Sequence, residues 1–166
     1  MKYNSFEDLP VWKDAIELAV RIFALTAKSC FRNHSGTRNQ LENAGVSISN
    51  NIAEGFERGT TQETLAFLYI ARGSSGEVRS MLCLLERAPG FEDLRSEIPD
   101  LRSRAMSISK QLRAWADSMQ NSDIRGQRYL TDKSRRITKE SQEREEFLEE
   151  LKRVREGQRP GSTSES

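Results

Sequence analysis

Apolar residues recur every three or four positions in four successive stretches of the chain, the spacing of one face of an α-helix. In the first stretch, about 9–28, Val11, Ala15, Leu18, Ile22 and Leu25 form one stripe, and Trp12, Ile16, Ala19 and Phe23 widen it. So broad a face predicts a helix packed against two neighbours, with Pro10 in the first turn, where a missing N–H costs nothing. The second stretch, about 37–57, carries Leu41, Ala44, Ile48 and Ile52 and ends near Phe56. Thr37 and Gln40 have capping-box spacing at its start, and Gly59 is placed to take a left-handed conformation at its end. Thr60 and Glu63 make another capping box before a third stretch, about 61–87, with Leu65, Leu68, Ala71, Val78, Leu82 and Leu85. In the fourth, about 96–120, Ile98, Leu101, Ala105, Ile108, Leu112, Trp115 and Met119 alternate steps of three and four, which is a bundle seam. Ser96 suits its N-cap and leaves Pro99 in the first turn.

Four such helices with short connections predict an all-α fold: an antiparallel four-helix bundle over residues 6–120. The pattern changes after Gln120. Between 121 and 139 the bases Arg125, Arg128, Lys133, Arg135, Arg136 and Lys139 face only Asp123 and Asp132. The next run, "ESQEREEFLEELKRVRE", is nearly all charge, with Phe147, Leu148, Leu151 and Val154 as a short apolar stripe. Residues 121–166 are therefore expected to form a charged C-terminal extension, partly helical or disordered, with a candidate helix at about 140–156.

Two places break the bundle pattern. "SISNNIAEGFERG" puts Asn51, Glu54 and Arg58 along one edge of the second helix, with Gly55 between them. The third helix contains "ARGSSGEV", in which Gly73 and Gly76 each cost about 1 kcal/mol relative to alanine. The expected compensation is an inter-helix polar lock. In it the glycines admit the second helix closely, and Asn51, Glu54 and Arg58 pair with one another and with Ser74 or Glu77. A catalytic use would need Glu54 and Glu77 as acid and base. No nucleophile, histidine or phosphate loop accompanies them, so the chain reads as non-enzymatic.

Composition narrows the function further. A net charge of +1 argues against a generic polyanion binder, and 36% apolar with 31% charged residues suits a well-solvated globular protein. No apolar run approaches a membrane span, and the first residues lack a signal-peptide core, so a cytoplasmic protein with no membrane partner is expected. Cys30 and Cys83 fit reduced thiols there, and Cys30 with His34 lacks the second pair that a metal needs, so no metal or cofactor is expected. Trp12, Phe23, Phe67 and Tyr69 cannot all face one interior. An aromatic patch left outside predicts self-association.

"FEDLPVWKDAIELAVRI", "SISNNIAEGFERGT" and "FLYIARGSSGEVRSML" together resemble the 23S rRNA-intervening sequence proteins, over roughly Phe6 to Met119. The most specific part is N-I-A-E-G-F-x-R at Asn51 to Arg58, followed by G-S-x-x-E at Gly73 to Glu77. The resemblance implies a bacterial bundle that assembles as a ring, commonly a homopentamer, with RNA or an RNA-associated protein as a partner. The alternative it implies is an accessory protein of a diversity-generating retroelement, contacting a reverse transcriptase and nucleic acid. This chain has "QLENA" where members often carry Q-L-R-R-A, so Glu42 and Asn43 replace two bases. Candidate phosphate contacts are Arg72, Arg79, Arg102, Arg104 and Arg113 on the bundle. Lys133, Arg135, Arg136 and Lys139 are denser, with Tyr129 available to stack on a base.

Overall fold

The computed structural model describes residues 3–121, together with 144 and 147–149. Among them the long helices are Pro10–Thr26 (α1), Ser35–Glu57 (α2), Thr61–Arg87 (α3) and Ile98–Gln120 (α4). Short 3-10 turns at Phe6–Asp8, Ser29–Phe31 and Glu92–Leu94 precede α1, α2 and α4. The described residues contain no strand.

Side-chain pairs between helices give their directions. Lys28 meets Glu97, Arg21 meets Asp100 and Asp14 meets Gln111, so α4 descends as α1 rises. Ser47 lies against Ser74 while Gly55 lies against Phe67, so α2 and α3 are antiparallel. Glu86 with Arg102, Ser75 with Ala105 and Tyr69 with Gln120 order α3 and α4 in the same way. Consecutive helices pack on one another, α1 also closes on α4, and α1 and α3 take opposite corners. The protein is an antiparallel four-helix bundle.

The first stripe of every helix points inward. Leu18, Ile22, Ile48, Ile52, Leu68 and Leu82 are fully buried, and Leu112 and Ile108 of the α4 seam join them. Burial of each such side chain contributes about 2 kcal/mol, so this stripe supplies most of the folding drive. At one end Phe31, Phe91 and His34 stack edge to face, with Phe31 and Phe91 centroids 5.1 Å apart. That cluster closes the pole where the connections 27–34 and 88–97 meet. The second stripe of α1 divides. Ala19 is buried and Trp12 packs on Phe6, whereas Ile16 and Phe23 are exposed.

Three helix ends differ from the sequence reading. α2 starts at Ser35, with His34 as its N-cap and no side-chain cap bond, so Thr37 and Gln40 lie inside the helix. Contact of His34 with Phe91 sets where the chain enters the helix, and tertiary packing overrides the box. Gly59 is not left-handed. Arg58 leaves α2 extended, because α3 starts at Thr61 and only residues 58–60 connect the two, and the positive φ belongs to Gly90 after α3. α4 is preceded by Glu97 without a capping side chain, since that carboxylate is engaged by Lys28. At Thr60 the expected N-cap is formed: Thr60 Oγ1 accepts from the Glu63 N–H at 3.2 Å and donates to the Glu63 carboxylate at 2.7 Å.

Of the candidate helix at 140–156, Arg144 and residues 147–149 are described and helical, with Phe147 and Leu148 exposed. Its remainder and the basic cluster Lys133, Arg135, Arg136 and Lys139 lie outside the described residues.

Candidate functional site

The polar stretch of α2 resolves into two kinds of contact with α3. Asn51 Nδ2 donates to the Ser47 carbonyl oxygen at 2.7 Å and to Ser47 Oγ at 3.0 Å. Ser47 Oγ and Ser74 Oγ lie 2.8 Å apart across the two helices, and Ser74 Oγ donates to the Ile70 carbonyl at 3.2 Å. A hydroxyl has one hydrogen, so Ser47 is the donor to Ser74. The chain of bonds therefore runs one way, from Asn51 through Ser47 and Ser74 to Ile70.

One turn further on, the contact becomes steric. Gly55 is buried, and a Cβ there would stand 2.9 Å from Phe67 Cβ and 3.4 Å from the Thr64 carbonyl oxygen. Real Cβ atoms do not approach so closely, so only glycine fits this crossing. Glu54 pairs with Arg58, whose guanidinium carbon lies 4.8 Å from the Phe67 ring centroid. Carboxylate, cation and ring thus cover the close contact from the solvent side.

The lock expected from the sequence is corrected by this geometry. Glu54 is 51% exposed and binds its own helix, and Glu77 is exposed, so neither reaches across to the other element. Gly73 and Gly76 have nothing within 4 Å of a Cβ position, so they admit no neighbouring backbone. The close approach comes from Gly55 of α2, and the polar bridge from Ser47 with Ser74. Ser75, adjacent to Ser74 but about 100° further round the helix, is fully buried and donates to the Ala105 carbonyl of α4 at 2.7 Å. Sequence reasoning missed Ser47 and the α4 role of Ser75, because a serine in a helix carries no mark of which neighbour it will face.

Much of N-I-A-E-G-F-x-R is thus accounted for by packing: Ile52 and Phe56 are buried, Gly55 and Arg58 meet Phe67 of α3, and Asn51 and Glu54 brace Ser47 and Arg58 within α2. The family comparison concerns this same frame. The family model described as 23S rRNA-intervening sequence protein matches residues 7–114. The chain belongs to this family. None of the curated proteins matches it. Among solved structures it is similar to a crystal structure from Bacteroides thetaiotaomicron, a protein with unknown function from the S23 ribosomal protein family. The identity is 25%, covering 64% of this chain and 97% of that one, with a TM-score of 0.57.

Of the five candidate phosphate contacts on the bundle, three are neutralised. Arg102 pairs with Glu86, Arg104 with Asp100, and Arg113 with Asp117. Arg72 and Arg79 are half-buried on the α4 side of α3, and neither has an ion-pair partner among the described residues. Glu42, standing where a base was expected, accepts from the buried Thr26 hydroxyl at 2.5 Å and from Arg38 at 2.9 Å. Burial alone would raise its carboxyl, but the bonds from Thr26 and Arg38 outweigh it and hold the pKa below the usual range. Hydrogen bonds from Arg104 and Arg21 likewise lower Asp100. No helix among the described residues is long and apolar enough to cross a membrane, and no three His, Cys, Asp or Glu side chains there converge as metal ligands.

Proposed function

We propose that this family member is a non-enzymatic cytoplasmic interaction protein that assembles into a ring of identical copies and, once assembled, holds RNA or an RNA-associated protein. The observation that carries the proposal is a pair of apolar faces on opposite corners of the bundle. Ile16, Val20 and Phe23, at steps of four and three, make an exposed ridge on α1, where Val20 is 57% exposed. On α3, Ile70 and Leu84 are 51% and 58% exposed, and the open Gly73 lies between them. Two different faces on opposite corners suit head-to-tail contact, which closes into a ring when the rotation per copy allows. A single self-complementary patch would give a dimer instead. The RNA part of the proposal draws support from the family to which the chain belongs and from the dense bases Lys133, Arg135, Arg136 and Lys139.

Light scattering tests the assembly. The wild type is expected as a multimer, and Val20→Glu with Phe23→Glu as a folded monomer of unchanged helicity. A monomeric wild type overturns the proposal. For RNA, ultraviolet crosslinking in cells is compared between the full chain and one ending at Gln120. Loss of recovered RNA on truncation assigns the contact to the basic extension, equal recovery assigns it to the bundle, and no RNA in either case removes it.

A further inference from the structure

A groove of about 600 Å³ runs along the outer seam of α3 and α4. Its α3 wall includes Gly76, Arg79, Cys83 and Glu86, and its α4 wall includes Pro99, Arg102 and Met106. This volume lies within the range of sites for small organic ligands. The α2–α3 contact described above lies on the adjacent seam, and none of its residues lines the groove.

The groove carries both signs of charge. Arg102 Nη1 is 2.6 Å from Glu86 Oε2, which cancels one cation. Arg79, like Arg72 on the same helix, is half-buried with no carboxylate partner among the described residues. Two guanidiniums against one carboxylate leave the groove one positive charge in excess. Gly76 shares the open surroundings of Gly73. It weakens α3, yet no neighbour needs its missing side chain, because a Cβ there meets nothing within 4 Å. What its absence keeps open is the groove.

We propose that this groove is a binding site for a small nucleotide carrying a singly charged phosphodiester. Arg79 offers the fork of donors that matches two phosphate oxygens. Ser80 and Ser103, also lining the groove, add hydroxyl donors. Glu86 Oε1 accepts no hydrogen bond among the described residues and suits a ribose hydroxyl or a base amino group. Pro99 and the partly exposed Met106 provide an apolar face for the base. A simple fatty acid would satisfy Arg79 but leave Glu86 and the serines unmatched. A dianionic phosphomonoester would exceed the single excess charge.

The full-length protein is titrated calorimetrically with 3′,5′-cyclic AMP, AMP and adenosine. Cys83, in the groove, is alkylated in parallel with iodoacetamide, and Cys30, in the turn before α2, serves as the internal reference. Cyclic AMP is expected to bind, to outbind AMP and adenosine, and to slow modification of Cys83 but not of Cys30. Arg79→Gln is expected to weaken binding by about tenfold or more, as loss of a charge-assisted pair does. Gly76→Leu, which the open space tolerates, is expected to abolish binding by filling the groove. Absence of heat and of Cys83 protection with cyclic AMP overturns the proposal, as does binding that survives both substitutions in folded protein. A short single-stranded RNA that protects Cys83 where cyclic AMP does not also overturns it, and gives the groove to the polymer.

Discussion

Gly55 and Gly73 are the same residue type in neighbouring helices, and the structure assigns opposite signs to the same substitution. Gly55→Ala would place a methyl 2.9 Å from Phe67 Cβ, where overpacking costs about 1–3 kcal/mol and outweighs the roughly 1 kcal/mol gained in helix propensity. Gly73→Ala meets open space and keeps only the gain, up to about 1 kcal/mol. Thermal melts of the two variants should move in opposite directions, and a shared direction would contradict the packing described. Glu42 makes a pH prediction. Its folded pKa lies below the unfolded value, so its contribution is fully present above the unfolded pKa of about 4.3 and is lost as pH falls through the folded value. Glu42→Gln should therefore be less stable than wild type at neutral pH, by under about 1 kcal/mol, and should lose less on acidification. Urea midpoints measured from neutral to about pH 3 check both parts. A variant that acidifies in parallel with wild type would show that the carboxyl titrates alike in both states.

At the scale of the element, caps separate what local sequence decides from what packing decides. Thr60→Ala removes the bond to the Glu63 N–H and should cost about 1 kcal/mol. Thr37→Ala sits inside α2 and should change stability by less than about 0.5 kcal/mol, although both threonines look alike in the sequence. Denaturant titration distinguishes them. The inward stripes of all four helices were legible because burial follows a period that the chain writes out directly, as Leu18, Ile48, Leu82 and Leu112 illustrate. Ends were less legible. The entry to α2 is decided by His34 against Phe91, a residue in a different connection that no local pattern contains. The polar lock was legible as an oddity but not as a set of partners. Gly73 and Gly55 look equally suited to close packing, and only the rotation of each helix about its axis decides which one meets the other. Glu54 was assigned inward for the same reason, when a shift of one residue carries it to solvent.

For the whole molecule, the two outward faces allow an experiment that a symmetric dimer would fail. Val20→Glu with Phe23→Glu disables the α1 face, and Leu84→Glu disables the α3 face, where each target is largely exposed and tolerates charge. Each variant alone should be monomeric. Mixed together they retain one good face apiece and should form a heterodimer that goes no further, read as a doubled mass by light scattering. Monomers in the mixture would mean that the faces do not meet head to tail. A last consequence follows from the antiparallel path. α1 begins and α4 ends at the pole opposite the Phe31–Phe91 cluster, on the same side as the short 58–60 turn. In a closed ring, cyclic symmetry would set the α4 ends of all copies at one height around a common axis. Copies joined that way would carry the bases Lys133, Arg135, Arg136 and Lys139 several times over, and a polyanion held by more than one set would come off far more slowly than from a single copy.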